Sequence, residues 1–236
     1  MILDRDLRLD LFEVALRVAS DPSPESEKRK LLTVALRDYV SSQEAEGKTK
    51  KCLSRVWVSP PEKARDMIAW ARNHPQLALD PRLLHLGALL ATFPFVGGVT
   101  GVIGRATALD GRVEPAEVRR RARALWGDRS SIDVGARKVY TTLLRLGVLE
   151  GGGRGPLVRG AMLGAEGEMA AWTIHALLLT RGVTAVTDSE LGAAPELFWT
   201  KLSRPGGGYP LLARHSESGH RGVWVAEAPF GTTSPS

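Results

Sequence analysis

A stretch of nineteen residues, 86–104, carries no charge and is bounded by His85 and Arg105. Such a run must leave water, either by spanning a bilayer or by lying at the centre of a folded core. Its interruptions decide between the two. Pro94, five glycines (Gly87, Gly97, Gly98, Gly101 and Gly104) and two threonines break it up, and a proline in mid-run removes a backbone donor and ends or kinks a helix. The run therefore divides into a helix near 81–92, a Phe93-Pro94-Phe95 turn and a second helix from about Thr100. It reads as a buried helix–turn–helix junction and not as a membrane span. The Gly97 and Gly101 pair has GxxxG spacing, and in a run this interrupted it lets a turn pass close to a neighbouring backbone.

The remainder of the 236 residues has the composition of an ordinary globular protein, with 43% hydrophobic and 25% charged residues, which excludes collagen, wholesale disorder and a coiled-coil rod. One cysteine, Cys52, makes neither an intramolecular disulfide nor a thiolate zinc site. Asp4 and Asp6 stand where a signal peptide would need a basic stretch. A reducing, cytoplasmic setting is expected.

Apolar spacing outlines the N-terminal region, 1–80, as all helical. Residues 4–19 place Leu7, Leu11, Val14, Ala15 and Val18 on one stripe. Ser23 as cap and Pro24 at the first helical position open a second helix to about Tyr39. The polar stretch 43–51 reads as a connection. A short helix through Cys52 and Val56-Trp57-Val58 stops at Ser59-Pro60, and residues 62–73 form another helix closed by His74-Pro75.

The formal charge of +6 is unevenly placed. Residues 99–160 hold twelve basic side chains and six acids, so the rest balances at 20 (32 − 12) against 20 (26 − 6). Eleven of those twelve cations are arginines, whose planar fork suits phosphates and guanine edges. The same segment shows a distinctive order of elements. A helix ends near Leu109, and Asp110-Gly111 turns the chain. Glu114-Pro115 starts a second helix with Val118, Ala122, Leu125 and Trp126 on its apolar face. Gly127-Asp128-Arg129-Ser130 is a tight turn, and a third helix, capped by Ser131 with Asp133 in its first turn, runs to Gly147. Val148-Leu149-Glu150 reads as a strand, Gly151-Gly152-Gly153-Arg154-Gly155 as a flexible tip and Pro156-Leu157-Val158-Arg159 as the returning strand.

That order resembles the winged helix-turn-helix DNA-binding superfamily over roughly 60 residues, assigned here to a domain at 81–160. The resemblance implies that the third helix enters the major groove of duplex DNA while the wing touches the flanking backbone. Carried onto this chain, the third helix would offer Ser130, Val134, Arg137, Lys138, Thr141 and Arg145, and the wing Arg154 and Arg159. Arg137 is the expected base contact, while Lys138, Arg145, Arg129 and Arg154 are expected on phosphates. Asp133 departs from the pattern, since it would repel phosphate at the groove unless it caps the helix. Arg119, Arg120 and Arg123, with Arg121, add a basic face on the second helix, which on its own would be ordinary solvated surface.

The C-terminal lobe, 161–229, is expected to repeat the theme. A helix over 166–180, a second opened by Thr187-Asp188-Ser189-Glu190, a third over 195–202 and a hairpin of 209–214 with 222–226 would fit a second winged-helix-like unit. His215 and His220 are two ligands without a third, too few for a metal. Residues 230–236 should be a disordered tail. The chain lacks GxxxxGK[ST], HExxH and GxSxG, and the 98–104 glycines have the wrong spacing for GxGxxG. Cys52 reads as a buried small side chain, and Glu166 and Glu168 would point to different faces of a helix. No catalysis, cofactor or metal is expected.

The expected fold is thus mostly α with small β-hairpins (α+β): an N-terminal helical bundle, a central winged helix-turn-helix and a C-terminal winged-helix-like lobe. In layout and size the chain is similar to the BrxA-like DNA-binding proteins of bacterial BREX phage-defence islands. That resemblance implies a non-catalytic, duplex-DNA-binding component of a prokaryotic defence or regulatory system. The alternative is an adaptor whose winged helix docks another subunit of such a complex.

Overall fold

Residues 2–8 run extended, and the first helix, α1 (Leu9–Ala19), begins five residues later than the expected 4–19. The computed structural model describes residues 2–153, 155–206, 208–217 and 221–227. The late start has a tertiary cause. Leu3 and Leu7 are fully buried, and the Leu7 N–H donates to Thr142 Oγ1 at 3.0 Å instead of entering a helix. Pro24 stands at the N-cap of α2 (Glu25–Leu36), one position before its expected place.

The polar stretch expected to be a connection is a helix, α3 (Gln43–Leu53). Ser42 Oγ accepts from the Ala45 N–H at 3.3 Å, acids fill the first turn and Lys50 and Lys51 the last, so each end complements the helix dipole. Ala45, Thr49, Cys52 and Leu53 supply a narrow buried stripe. α3 passes directly into a π-helical turn, Ser54–Val58. A 3-10 turn and α4 (Arg65–Asn73) follow, close to the expected 62–73.

The uncharged run forms α5 (Pro81–Thr92) and α6 (Pro94–Asp110), which meet at 115° with Phe93 alone between them. α6 begins at Pro94 and not near Thr100, because the first helical position needs no N–H and tolerates proline. Among the described residues no helix is long and apolar enough to cross a membrane. α5 is buried on every side from Leu83 to Thr92. Two close approaches fix α6: a Cβ on Gly98 would collide with the Trp126 indole, and one on Gly104 with the Pro195 carbonyl.

The next elements follow the order read from the sequence: β1 (Arg112–Val113), α7 (Pro115–Trp126), α8 (Ser130–Arg145), β2 (Leu149–Gly151) and β3 (Leu157–Arg159). β3 lies antiparallel between β1 and β2, pairing Val113 with Leu157 and Leu149 with Arg159. α8 starts at Ser130 with Arg129 at the N-cap, so Ser131 is not its cap.

The C-terminal part departs from expectation in its middle. β4 (Leu163–Glu166), α9 (Gly167–Arg181), β5 (Ala185–Thr187) and α10 (Asp188–Gly192) lead to a 3-10 turn at Pro195–Leu197. The expected helix over 195–202 is replaced by this turn and by β6 (Thr200–Pro205), which pairs parallel with β4. β7 (Leu212–Glu217) and β8 (Arg221–Ala226) form the expected hairpin, and the order β5-β8-β7 repeats the β1-β3-β2 plan. Where the first unit presents α8, this one packs its 3-10 turn against α6 through the Gly104 contact. Helix dominates and the strands are short, so the mostly helical α+β class holds. Buried side chains form one cluster that runs from Leu3 to Trp224. The tail expected over 230–236 lies outside the described residues.

Two histidines sit inside this core. His85 stacks on Phe12 at 5.1 Å and meets the Trp57 ring edge-on at 5.5 Å, while His175 Nδ1 lies 2.7 Å from the Tyr209 hydroxyl. Burial drives the pKa of His85 down to about 3 and that of His175 down to about 4. Unfolding returns both rings to water, so the unfolded chain binds more protons below pH ~6.5. Stability is then fully present above that value and is lost as pH falls through the window towards 3. The urea midpoint is expected to drop between pH 7 and 4.5, and His85→Leu is expected to reduce that drop. An equal drop in both proteins would show that His85 carries none of it.

Candidate nucleic-acid interface

α8 sorts its side chains by direction. Ile132, Ala136, Val139 and Leu143 are buried against the core, whereas Ser130, Val134, Arg137 and Thr141 recur at three- and four-residue spacing on its outer side. This outer stripe has Arg137 near its middle, and Val134 is 43% exposed. Arg119 reaches across from α7 and donates to the Tyr140 hydroxyl at 3.4 Å. A groove of about 460 Å³ lies between these parts, walled by Arg119, Arg137, Tyr140, Thr141, the acidic Glu114 and the wing residues Gly153 and Gly155. Gly151, Gly152 and Gly153 all have left-handed φ values of 66–85°, which lets the wing turn tightly beside the helix. Arg129 is exposed at the head of α8, its Nη2 donating to the Trp126 carbonyl at 3.4 Å. Among the described residues, Arg119, Arg129 and Arg137 enter no ion pair.

Five of the expected cations, Lys138, Arg145, Arg120, Arg121 and Arg123, pair with carboxylates. Lys138 Nζ lies 2.7 Å from Asp6 Oδ1 and Arg145 Nη2 lies 2.7 Å from Asp6 Oδ2, so both turn towards the extended N-terminal segment and away from the outer stripe. Both were expected on phosphates, and in this structure they share one carboxylate. Burial pushes the Asp6 carboxyl up, but the Lys138 hydrogen bond and the charges of Lys138 and Arg145 outweigh it and hold the pKa below the ordinary value. Arg123 donates to Asp133 Oδ2 at 2.8 Å and approaches Asp128 at 3.5 Å. Asp133 thus ties α8 to α7 instead of facing the groove. Arg120 and Arg121 both bond Glu117 and hold its carboxyl down to about 2, so the basic face of α7 is half neutralised by its own helix.

Arg159 sits at the base of the wing, in a second cavity with Arg105, Met162 and Leu109, and not beside α8. Arg154 lies outside the described residues, as does His220. Among the described residues no group of three metal-ligating side chains converges. Cys52 is buried and donates to Asp4 Oδ1 at 3.0 Å, and burial pushes its thiol pKa upward.

Asp6 is the residue that the sequence reading missed. It lies 132 positions from Lys138, and nothing in its local pattern distinguishes it from any other surface acid near a chain start. Comparison with family models, curated proteins and solved structures finds no match to this chain.

Removing the Asp6 charge while keeping its shape should release two cations and loosen the N-terminal segment. Asp6→Asn is expected to leave a heparin column at higher salt than the wild type and to cost ~1–3 kcal/mol in urea unfolding. Unchanged elution would mean that Lys138 and Arg145 stay bound elsewhere.

Proposed function

We propose that this chain is a duplex-DNA-binding protein whose helix α8 lies in the major groove while the wing touches the adjacent backbone. The observation that carries the reading is the outer stripe of α8. Its arginine has no carboxylate partner among the described residues, it is flanked by Arg119 and Arg129, and Arg120, Arg121, Arg123, Lys138 and Arg145 are held by Glu117, Asp133 and Asp6. An evenly basic surface would serve for loose polyanion binding, whereas a stripe cleared of acids along one helix gives the positive charge a direction. Arg137 suits the O6 and N7 of guanine, Val134 a thymine methyl, and Ser130 and Thr141 either base edges or phosphates.

The winged-helix order of elements and the BrxA-like layout support placing the protein among the non-catalytic components of a prokaryotic phage-defence or regulatory system, working in the cytoplasm. The half-exposed Val134 at the centre of the stripe favours one second reading: an adaptor that docks α8 on a partner protein through an apolar contact.

Salt separates the two. Titration of duplex DNA at two or more salt concentrations is expected to give log K falling steeply with log salt, with weaker binding and a slope reduced by roughly one in Arg119→Ala/Arg137→Ala, because Arg137 is assigned to a base and not to a phosphate. Arg137→Ala alone is expected to relax preference at one base position by ~1–3 kcal/mol. Absence of binding at low salt, or equal binding by wild type and double variant, would overturn the DNA reading and favour the adaptor.

A further inference from the structure

A second concentration of positive charge lies on the N-terminal bundle, away from the segment that carries the formal excess. Gly47, Lys50, Lys51 and Ser54 recur at three- and four-residue spacing along one face of α3 and its continuation. The π-helical turn that follows is closed by the Ser59 N–H on the Ser54 carbonyl at 2.7 Å, and its wider circuit brings Arg55 and Ser59 round to the same side. Arg29 enters from α2 and donates to Ser59 Oγ from Nε and Nη2 at 3.1 and 2.9 Å. These residues line an open basin of about 460 Å³. Its walls are four cations, two hydroxyls and a glycine, with neither an acidic nor an apolar side chain among them.

Four like charges round one basin repel one another, and only one of them meets a carboxylate among the described residues. Arg29 is bonded to Glu25 at 2.5 Å. The other partners are neutral: Lys50 donates to Thr33 Oγ1 at 2.9 Å, and Arg55 donates to the Thr92 carbonyl at 3.1 Å while lying 5.3 Å over the Phe93 ring. Lys51 is exposed. Close by, burial and then the charge of Arg55 hold the Lys63 ammonium below its ordinary pKa. π-helical turns are rare and gather at functional sites, and here the turn places Ser54, Arg55 and Ser59 along one basin. Gly47 leaves the far wall open, with nothing within 4 Å of where its Cβ would lie.

We propose that this basin binds a phosphate group. A tetrahedral dianion there would accept from the Arg29 and Arg55 guanidinium groups, the two lysine ammonium groups and the serine hydroxyls, which is the donor set that phosphate recognition uses. The phosphate belongs either to a nucleic-acid strand or to a free phosphate ester. The inference stands whether or not α8 touches DNA.

The test titrates the full chain with inorganic phosphate and with pyrophosphate at fixed ionic strength, following backbone amide shifts in the wild type, in Lys50→Gln/Lys51→Gln and in Lys51→Gln. The single variant changes only an exposed side chain and keeps the test decisive if the double variant does not fold. Saturable shifts centred on Gly47, Ser54 and Ser59, at least fivefold weaker in the variants, are expected. Shifts reproduced by chloride, or unchanged in the variants, would overturn the site. A duplex-DNA arm identifies the source. If a strand supplies the phosphate, the double variant also lowers the salt slope of DNA binding by about two. If a free ester supplies it, that slope is unchanged while pyrophosphate binding still falls.

Discussion

The rest of the structure depends on how closely other elements approach the uncharged corner of α5 and α6. α5 is buried on all sides, and its Gly87 admits the Trp172 ring from α9. α6 admits Thr180 at Gly97, Trp126 at Gly98 and the Pro195 backbone at Gly104. Each of these contacts would be blocked by a single methyl group, and interiors packed to crystal-like density have no room to absorb one. The same corner therefore seats the N-terminal bundle, the α7–α8 unit and the C-terminal lobe. It also fixes which helix faces outwards, because Trp126 at the end of α7 anchors the turn from which α8 departs.

Charge is distributed with the same economy. The local excess of arginine is not simply displayed. Glu117 holds Arg120 and Arg121, Asp133 holds Arg123, and Asp6 holds Lys138 and Arg145. The exposed pairs on Glu117 add little stability, but together with the more buried Asp6 and Asp133 pairs they occupy five cations, whereas Arg119, Arg129 and Arg137 beside the outer stripe have no carboxylate partner among the described residues. The two lobes with the β1-β3-β2 plan divide the work: one exposes its third helix, and the other replaces that helix with a 3-10 turn pressed onto α6 and with a strand that pairs with β4.

Local signals were legible in the sequence wherever a residue type has one structural use. Asp110-Gly111, Glu114-Pro115 and the run of wing glycines marked the boundaries of α6, α7 and the β2–β3 hairpin to within a residue or two, and Thr187 with Glu190 formed the capping box that opens α10. α3 was misread because its apolar stripe is narrow and its charges look like a linker, although Ser42, the early acids and the late lysines together mark a capped helix. The 195–202 segment was misread because Phe198, Trp199 and Leu202 have helical spacing, yet the partner strand β4 that draws residues 200–205 into a sheet lies almost forty positions earlier. In the candidate interface, the winged-helix resemblance offered Arg137, Thr141, Lys138 and Arg145 as one set, and the structure keeps the first two on the outer stripe. Lys138 and Arg145 differ from them by about a quarter turn of helix, a difference that only the position of Asp6 decides.

The measurement that bears most directly on the outward stripe is the response of the arginine Nε–H resonances when duplex DNA is added at low salt. The signals of Arg119, Arg129 and Arg137 are expected to shift together and saturate, while those of Arg123 and Arg145, held by Asp133 and Asp6, stay in place. Movement of Arg123 and Arg145 with Arg137 unaffected would contradict the account.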